Sequence, residues 1–418
     1  MLALFVAAAL AAPDVIVISV DTLRTDYLGC YGHEFNTSPN LDRLAENSLV
    51  FDDMICEAPL TGPSFSAMMS SRYPRVTGAT RNGLRLPEHF PTVAEQFGAT
   101  GYQTVCVQSN WTLKAKLSGL DRGFNVYDDD FEEKRWGVIK GERRAEDVTR
   151  LALDMLNTRD PDKPLFAWFH YSDPHAPYKA HRKFNVARDV EGPTRKARKV
   201  RTRYNSEIAF TDSYIAQLLN AIPKDNTFII FVGDHGESLY EHNYLGHGRR
   251  IYQATLSIPF MISGPGITPG RTIAPARGID IGTTLLELAG LTPAPGMHGL
   301  ALLSDTPQPD RIRVVETYGG AVPNLPGAKA VMANRGPQRQ AALLNNWKLI
   351  RNGSKYELFN LTVDPMEEND LAAQEPDRVA LLGDLISAWD AETDNGAADA
   401  ADLDQDDIEA LGTLGYTD

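Results

Sequence analysis

Two features of the 418-residue chain predict an α/β fold: a large, mostly parallel sheet covered by helices on both faces. Continuous apolar, β-branched-rich runs recur at 14–20 (Asp-Val-Ile-Val-Ile-Ser-Val), 165–170 and 227–233. A strand buried on both faces needs such a run, and parallel sheets bury both faces. Helical-period segments lie between the runs, so strand and helix alternate as in a sheet covered on two sides. From about Arg311 the rhythm changes to strands and hairpins, which predicts a small C-terminal antiparallel α+β subdomain.

In chain order, residues 1–12 are Leu-, Val- and Ala-rich and end in small residues before Pro13, as at a leader-peptide cleavage site. An exported protein, periplasmic or extracellular, is expected. A cytoplasmic one follows if the segment is no signal. Twelve helical residues span about 18 Å, too short for a bilayer core, and no other long apolar run exists. The first strand ends at Asp21, on the sheet edge where open α/β sheets bind ligands. Ser38 as cap and Pro39 in the first turn open a helix with Leu41, Leu44, Ala45 and Ser48 inward.

The stretch 58–74 reads as a loop turning into a helix, punctuated by Pro59, Gly62 and Pro63. Thr61 then sits just ahead of a helix N-terminus, where unpaired N–H groups and the dipole favour an anion. A hydroxyl there is either an attacking group or a plain N-cap.

Further on, 92–97 reads as a helix, 102–108 as a strand and 147–157 as a helix. The strand at 165–170 ends on His170 and runs into a Pro-rich loop that carries His175. Residues 181–203 are basic and polar, read as a solvated insertion or a basic substrate rim. A helix is expected at 204–219 and a buried strand at 227–233. Asp234 and His235 follow that strand at once; carboxylate plus imidazole is a normal divalent-metal pair. His247 lies between two glycines, so its ring can approach a ligand closely. A strand at 258–262, helices at 280–288 and 377–388, a strand at 356–361 and a loose acidic tail at 395–407 complete the reading.

Composition narrows the partners. The net charge of −14 argues against nucleic acid. Cys30, Cys56 and Cys106 are odd in number and widely spaced, so they form no disulfide framework and no Cys-x-x-Cys metal site; buried inert thiols are expected.

The segments 17–32, 38–45, 169–178, 233–237, 280–291, 296–300, 347–351, 356–367, 368–372 and 411–416, in that order, resemble the sulfatase family of the alkaline phosphatase superfamily. The resemblance implies a catalytic domain over 13–308, a C-terminal subdomain over 309–394 and a terminal segment over 395–418. It also implies a metal-dependent ester hydrolase with a small anionic ester as substrate. The family's nucleophile is a Cys or Ser converted to formylglycine, in the pattern Cys/Ser-x-Pro-x-Arg. Here Thr61 takes the Cys position and Phe65 the Arg position; Thr22 replaces the second metal Asp, and His247 an expected Lys. Threonine cannot become formylglycine, because it has no primary Cβ alcohol or thiol.

Other branches of the superfamily use a Thr nucleophile with a carboxylate and His metal set, which resembles Asp21, Thr61, Asp234 and His235. The expectation is one divalent ion on those four residues, Zn²⁺ or Mn²⁺ ahead of Ca²⁺ or Mg²⁺, with Thr61 as nucleophile. His175 and His247 would hold the anion or protonate the leaving oxygen, and Arg24 is a second anion contact. Two alternatives remain open: a sulfate-ester hydrolase working without formylglycine, and an inactive exported protein that binds an anion or glycan.

Overall fold

The computed structural model describes residues 11–130, 134–135, 138–139, 142–187, 190–305, 307–320, 336–393 and 395–413. The leader expectation falls almost wholly outside them. The large sheet has eight strands: β1 (Asp14–Val20), β2 (Leu49–Phe51), β3 (Gln103–Val107), β4 (Val126–Asp128), β5 (Leu165–Tyr171), β6 (Thr227–Gly233), β7 (Phe260–Ser263) and β8 (Gly270–Thr272). Their spatial order is β8-β2-β7-β6-β1-β5-β3-β4. β1 pairs in parallel with β5 and β6, and β3 in parallel with β5 and β4. β7 runs antiparallel to both of its neighbours, so the sheet is mixed around a parallel centre.

Every residue of β1 is buried, as its continuous apolar run requires. Successive side chains point to opposite faces of a strand. Val15 and Val17 accordingly join one core cluster, and Ile16, Ile18 and Val20 join the other. The first cluster takes in Phe65 and Met68 of α2 (Thr61–Ser70), Val93 and Phe97 of α3 (Val93–Ala99), and Ile281 and Leu285 of α6 (Gly278–Leu288). The second takes in Leu41 of α1 (Pro39–Ala45), Val148 and Ala152 of α4 (Ala145–Thr158), and Ile208 and Ile215 of α5 (Arg195–Ala221). Helices therefore cover both faces. α3 starts on a capping box, in which the Thr92 hydroxyl accepts from the Glu95 N–H and the Glu95 carboxylate from the Thr92 N–H.

A separate antiparallel sheet of β9 (Arg313–Thr317), β10 (Arg339–Leu344), β11 (Trp347–Asn352) and β12 (Lys355–Asn360) packs under α7 (Pro376–Glu392). The β10–β11 turn is Asn345-Asn346, both at positive φ (50° and 64°), which suits a two-residue hairpin.

Three readings need correction. α5 begins at Arg195, so the basic residues 195–203 are its first turns and not an insertion. The Thr194 hydroxyl caps it by accepting from the Ala197 N–H, and Arg and Lys are good helix formers. Ser38 opens α1 without capping it; its hydroxyl accepts from the Gly29 N–H and donates to Asp42. The acidic tail is not loose. The Ala401 N–H donates to the Gly83 carbonyl, and the Asp407 carboxylate is buried against Trp111 Nε1 (3.0 Å) and Lys116 Nζ (2.8 Å). The short strands β2, β4 and β8 escaped the sequence reading because three residues carry no period. Cys56 and Cys106 are buried free thiols and Cys30 is a half-buried one.

Candidate active site

The parallel register sets up the site. Val20 is level with both Tyr171 and Gly233, so Asp21 and Asp234 leave adjacent strands side by side at their C-terminal ends. Asp234 Oδ1 is fixed by the backbone N–H groups of Thr22 (3.0 Å) and His235 (2.7 Å). Its other oxygen, Oδ2, is buried without a hydrogen-bond partner, and so is Asp21 Oδ1. The Asn110 amide donates to Asp21 Oδ2, which leaves Oδ1 to face inward.

His235 completes the group. Its Nδ1 lies 2.9 Å from the Gly236 carbonyl, which can only accept, so Nδ1 carries the proton. The bare Nε2 then faces Asp234 Oδ2 at 3.4 Å, Asp21 Oδ1 at 3.8 Å and Thr61 Oγ1 at 3.3 Å. Burial, then His247 nearby, hold His235 down at about 3, so it stays neutral. One ligand atom from each of Asp21, Asp234 and His235 falls within a common 4.8 Å. Two ligands 2.1 Å from one ion at a tetrahedral angle lie about 3.4 Å apart, so the spacing fits a divalent cation. Burial, then Asp21, push the Asp234 carboxyl well above its ordinary range. The two carboxylates cannot both ionise comfortably without a cation between them.

Thr61 is the first residue of α2, and Leu60 holds the N-cap position, so the N-cap alternative for Thr61 does not hold. α2 is tied to the metal-ligand edge by Ser64 Oγ, which donates to the Asp234 carbonyl (2.6 Å). The Gly62 N–H donates to Asn82 Oδ1 (2.8 Å). A Cβ at Gly62 would lie 2.8 Å from that oxygen, so only glycine allows the approach. Asn82 Nδ2 is buried beside the helix start with no hydrogen-bond partner.

Two more histidines close the site. His175 Nδ1 pairs with Glu142 at 2.7 Å, and His247 Nδ1 with the buried Glu237 at 3.1 Å. The Glu237 carboxylate accepts the His247 Nδ1 proton, and the Glu142 carboxylate faces His175 Nδ1 as an ion-pair partner. The His247 ring lies 4.5 Å from the His235 ring and 5.2 Å from the His175 ring. Burial opposes charge on His175, but Glu142, Asp21 and Glu237 overcome it and raise the imidazole to about 10. Gly246 and Gly248 flank His247 at positive φ (113° and 84°), which carries the chain close past Leu60.

The structure thus brings together Asp21, Thr61, Asp234, His235, His175 and His247. It engages Arg24 elsewhere. That buried guanidinium pairs with Asp26 (2.7 Å) and Glu241 (2.9 Å) and donates to the Glu237 carbonyl (3.0 Å). It braces the loop behind His247 instead of offering a free cation. Sequence reasoning missed Asn82, Asn110, Glu142 and a role for His170. Asn82 precedes Gly83 (φ 84°) in a turn signal, but nothing local marks an Asn-Gly turn as reaching back to Thr61.

The sulfatase family model matches residues 13–291, which hold every residue of this cluster. The chain belongs to the sulfatase family. It is therefore an ester hydrolase by membership. It is 24% identical to a choline-sulfatase of Rhizobium meliloti, over 86% of this chain and 82% of that one. It is 23% identical to an N-acetylglucosamine-6-O-sulfatase of Bacteroides thetaiotaomicron, with the same shares covered. Among solved structures it is similar to a phosphonate monoester hydrolase of Agrobacterium radiobacter. There the TM-score is 0.74 at 18% identity, over 91% of this chain and 96% of that one, a likeness of fold. Among the described residues no helix is long and apolar enough to cross a membrane.

Proposed function

We propose that this sulfatase-family chain is a metal-dependent hydrolase of anionic esters that uses Thr61 as nucleophile and prefers phosphate-type esters. The observation that carries the reading is the place of Thr61. Its hydroxyl stands at the N-terminus of α2, 3.3 Å from the bare Nε2 of His235, beside two orphaned carboxylate oxygens. Asp21, Asp234, His235 and Thr61 would hold one divalent ion, Zn²⁺ or Mn²⁺ by the imidazole among the donors. When bound, such an ion supplies Lewis acidity and lowers the hydroxyl pKa.

The chain's own residues do the rest. The Asn82 Nδ2 amide, buried beside the start of α2, would face the transferring group as a neutral donor. The charged His175 presents Nε2–H to the ester, holds the anion and gives its proton to the leaving oxygen. His247, oriented by Glu237, lines the other side. The Thr61 hydroxyl gives its proton to solvent as Oγ1 bonds to phosphorus; the ester O–P bond breaks and the leaving oxygen takes the His175 proton. Water then attacks phosphorus and gives one proton to His175, the P–Oγ1 bond breaks to release phosphate, and Thr61 Oγ1 regains its proton from solvent.

The phosphate preference follows from the single hydroxyl. In the formylglycine mechanism that the family resemblance implies, the second hydroxyl of a geminal diol expels sulfate. Thr61 has no such exit, so water must attack the transferred group itself. A second reading, sulfate-ester hydrolysis without formylglycine, is favoured by the relatives, a choline-sulfatase and an N-acetylglucosamine-6-O-sulfatase. Matched aryl phosphate, phosphodiester, phosphonate and sulfate esters separate the two through kcat/KM. Thr61→Ser is expected to keep part of the activity and Thr61→Ala almost none. Faster turnover of the aryl sulfate, or full activity in Thr61→Ala, overturns the proposal.

A further inference from the structure

The buried polar atoms around Asp21 include one that the proposed mechanism does not use. His170 sits at the end of β5, level with Ser19 of β1, and is fully buried. Its Nδ1 lies 2.9 Å from Ser19 Oγ, and the same hydroxyl oxygen accepts from Trp168 Nε1 at 2.8 Å. Its Nε2 points toward Asp21 Oδ2 at 3.7 Å and has no hydrogen-bond partner.

The donors and acceptors along this row fix the ring. An indole N–H only donates, so the Ser19 oxygen is an acceptor toward Trp168. The hydroxyl has one proton left to give, and the His170 Nδ1 lone pair is placed to take it. Were the proton on Nδ1, the Ser19 oxygen would face two N–H groups and its own proton would have no acceptor. The Nε2 lone pair would then oppose a carboxylate oxygen. Both ends of the ring reject that tautomer.

We infer that His170 is a positioning residue for the metal carboxylate. Trp168 and Ser19 lock it as the Nε2–H tautomer, and that N–H together with the Asn110 amide holds Asp21 Oδ2, so that Oδ1 alone faces the cation. The inference rests on the metal reading proposed above. It separates His170 from His235, whose Nδ1 donates to a carbonyl and whose Nε2 is bare. Two buried histidines of one site carry opposite tautomers: one binds the ion, the other binds its ligand. At 3.7 Å the contact is longer than a formed hydrogen bond, and such bonds are often long before a site is loaded. Partners of this kind, one step out from a metal, typically change metal affinity by about 10–100-fold when removed.

The test has two arms on the full chain. In the first, ring-¹⁵N-labelled histidine spectra of metal-free protein report which nitrogen of His170 carries the proton, with His170→Gln used for assignment. The expected result is a bare Nδ1 and a protonated Nε2 in wild type. A protonated Nδ1 overturns the inference. In the second, Mn²⁺ alone is titrated into wild type, His170→Leu and His170→Gln, with free Mn²⁺ read by electron paramagnetic resonance. The Gln amide reaches the Nε2 position and still donates; Leu fills the space and does not. Expected are a loss of about 10–100-fold in Leu and recovery of most of it in Gln. Leu binding Mn²⁺ as tightly as wild type overturns the inference. A wild-type protein that takes up no Mn²⁺ refutes the metal reading instead, and the tautomer arm, read without metal, then decides by itself.

Discussion

Replacing Glu142 by Gln removes one charge from the site and almost no volume. Glu142 lies 2.7 Å from His175 Nδ1, and its side chain is 16% exposed. At an effective dielectric of ~20, two unit charges at that separation attract by about 6 kcal/mol. Each tenfold in protonation costs about 1.4 kcal/mol, so the pair can lift an imidazole by roughly four pH units against burial. The lift from 6.5 to about 10 agrees in size. In Glu142→Gln the burial cost stays and the main opposing charge is gone, so His175 is expected to titrate near or below 6.5. NMR titration of metal-free protein reads that midpoint directly. The alkaline limb of kcat/KM reads its consequence, moving from near pH 10 to below about 7; a midpoint at 6.5 leaves about one part in 30 protonated at pH 8, so activity there should fall by roughly 30-fold or more. The sign carries over to stability. A raised histidine stabilises the fold fully below its unfolded pKa of 6.5 and loses that contribution as pH rises through about 10. The stability gap between wild type and Glu142→Gln should therefore be widest below pH 6.5 and close by about pH 10. An unmoved alkaline limb, or an unmoved His175 midpoint, refutes the assignment.

Three other expectations are simpler. Asp234→Asn should lose stoichiometric metal and activity together while keeping the wild-type circular dichroism; retention of one metal per chain refutes the ligand set. Asp407→Ala leaves the buried Trp111 indole N–H without its acceptor, which should cost about 1–3 kcal/mol by denaturant unfolding; no change would show the tail to be idle. Protein recovered from its native cell should begin between Ala12 and Asp14 by intact mass, and full-length cytoplasmic protein would end the idea of export.

Much of the fold was legible because its signals are local. The run at 14–20 had to be buried on both faces, and each of its apolar side chains lies in one of the two cores. The Asp that follows each of the runs at 14–20 and 227–233 falls at the ligand edge, since parallel register forces it there. What stayed illegible depends on contacts between distant segments. The tail at 395–407 looks solvated by composition, yet its Ala401, and Ala410 just beyond it, pack against Leu60 and Trp111. Leu60 precedes Thr61, and Trp111 follows the Asn110 that grips Asp21, so this weakly patterned segment braces both sides of the site. A chain with small apolar residues and a single buried Asp carries too little period to announce that role.

The histidines make the same point about chemistry. From sequence, the family resemblance assigns His235 to the metal and His175 and His247 to the anion, and leaves His170 without a role. The physical reason for the division lies in the atom that each offers away from the site. A carbonyl at His235 Nδ1 leaves a bare Nε2, which suits a cation. Carboxylates at His175 and His247 Nδ1 leave Nε2 for an anion or a leaving oxygen. A hydroxyl at His170 Nδ1, itself committed by Trp168, leaves an Nε2–H that suits a carboxylate. Glu142 is 33 residues from His175 in the chain, and Ser19 is 151 from His170, so no spacing rule could have paired them. The site's division of labour is thus written in the residues behind the histidines. Exchanging one of those partners should change what its histidine does while the histidine itself stays in place.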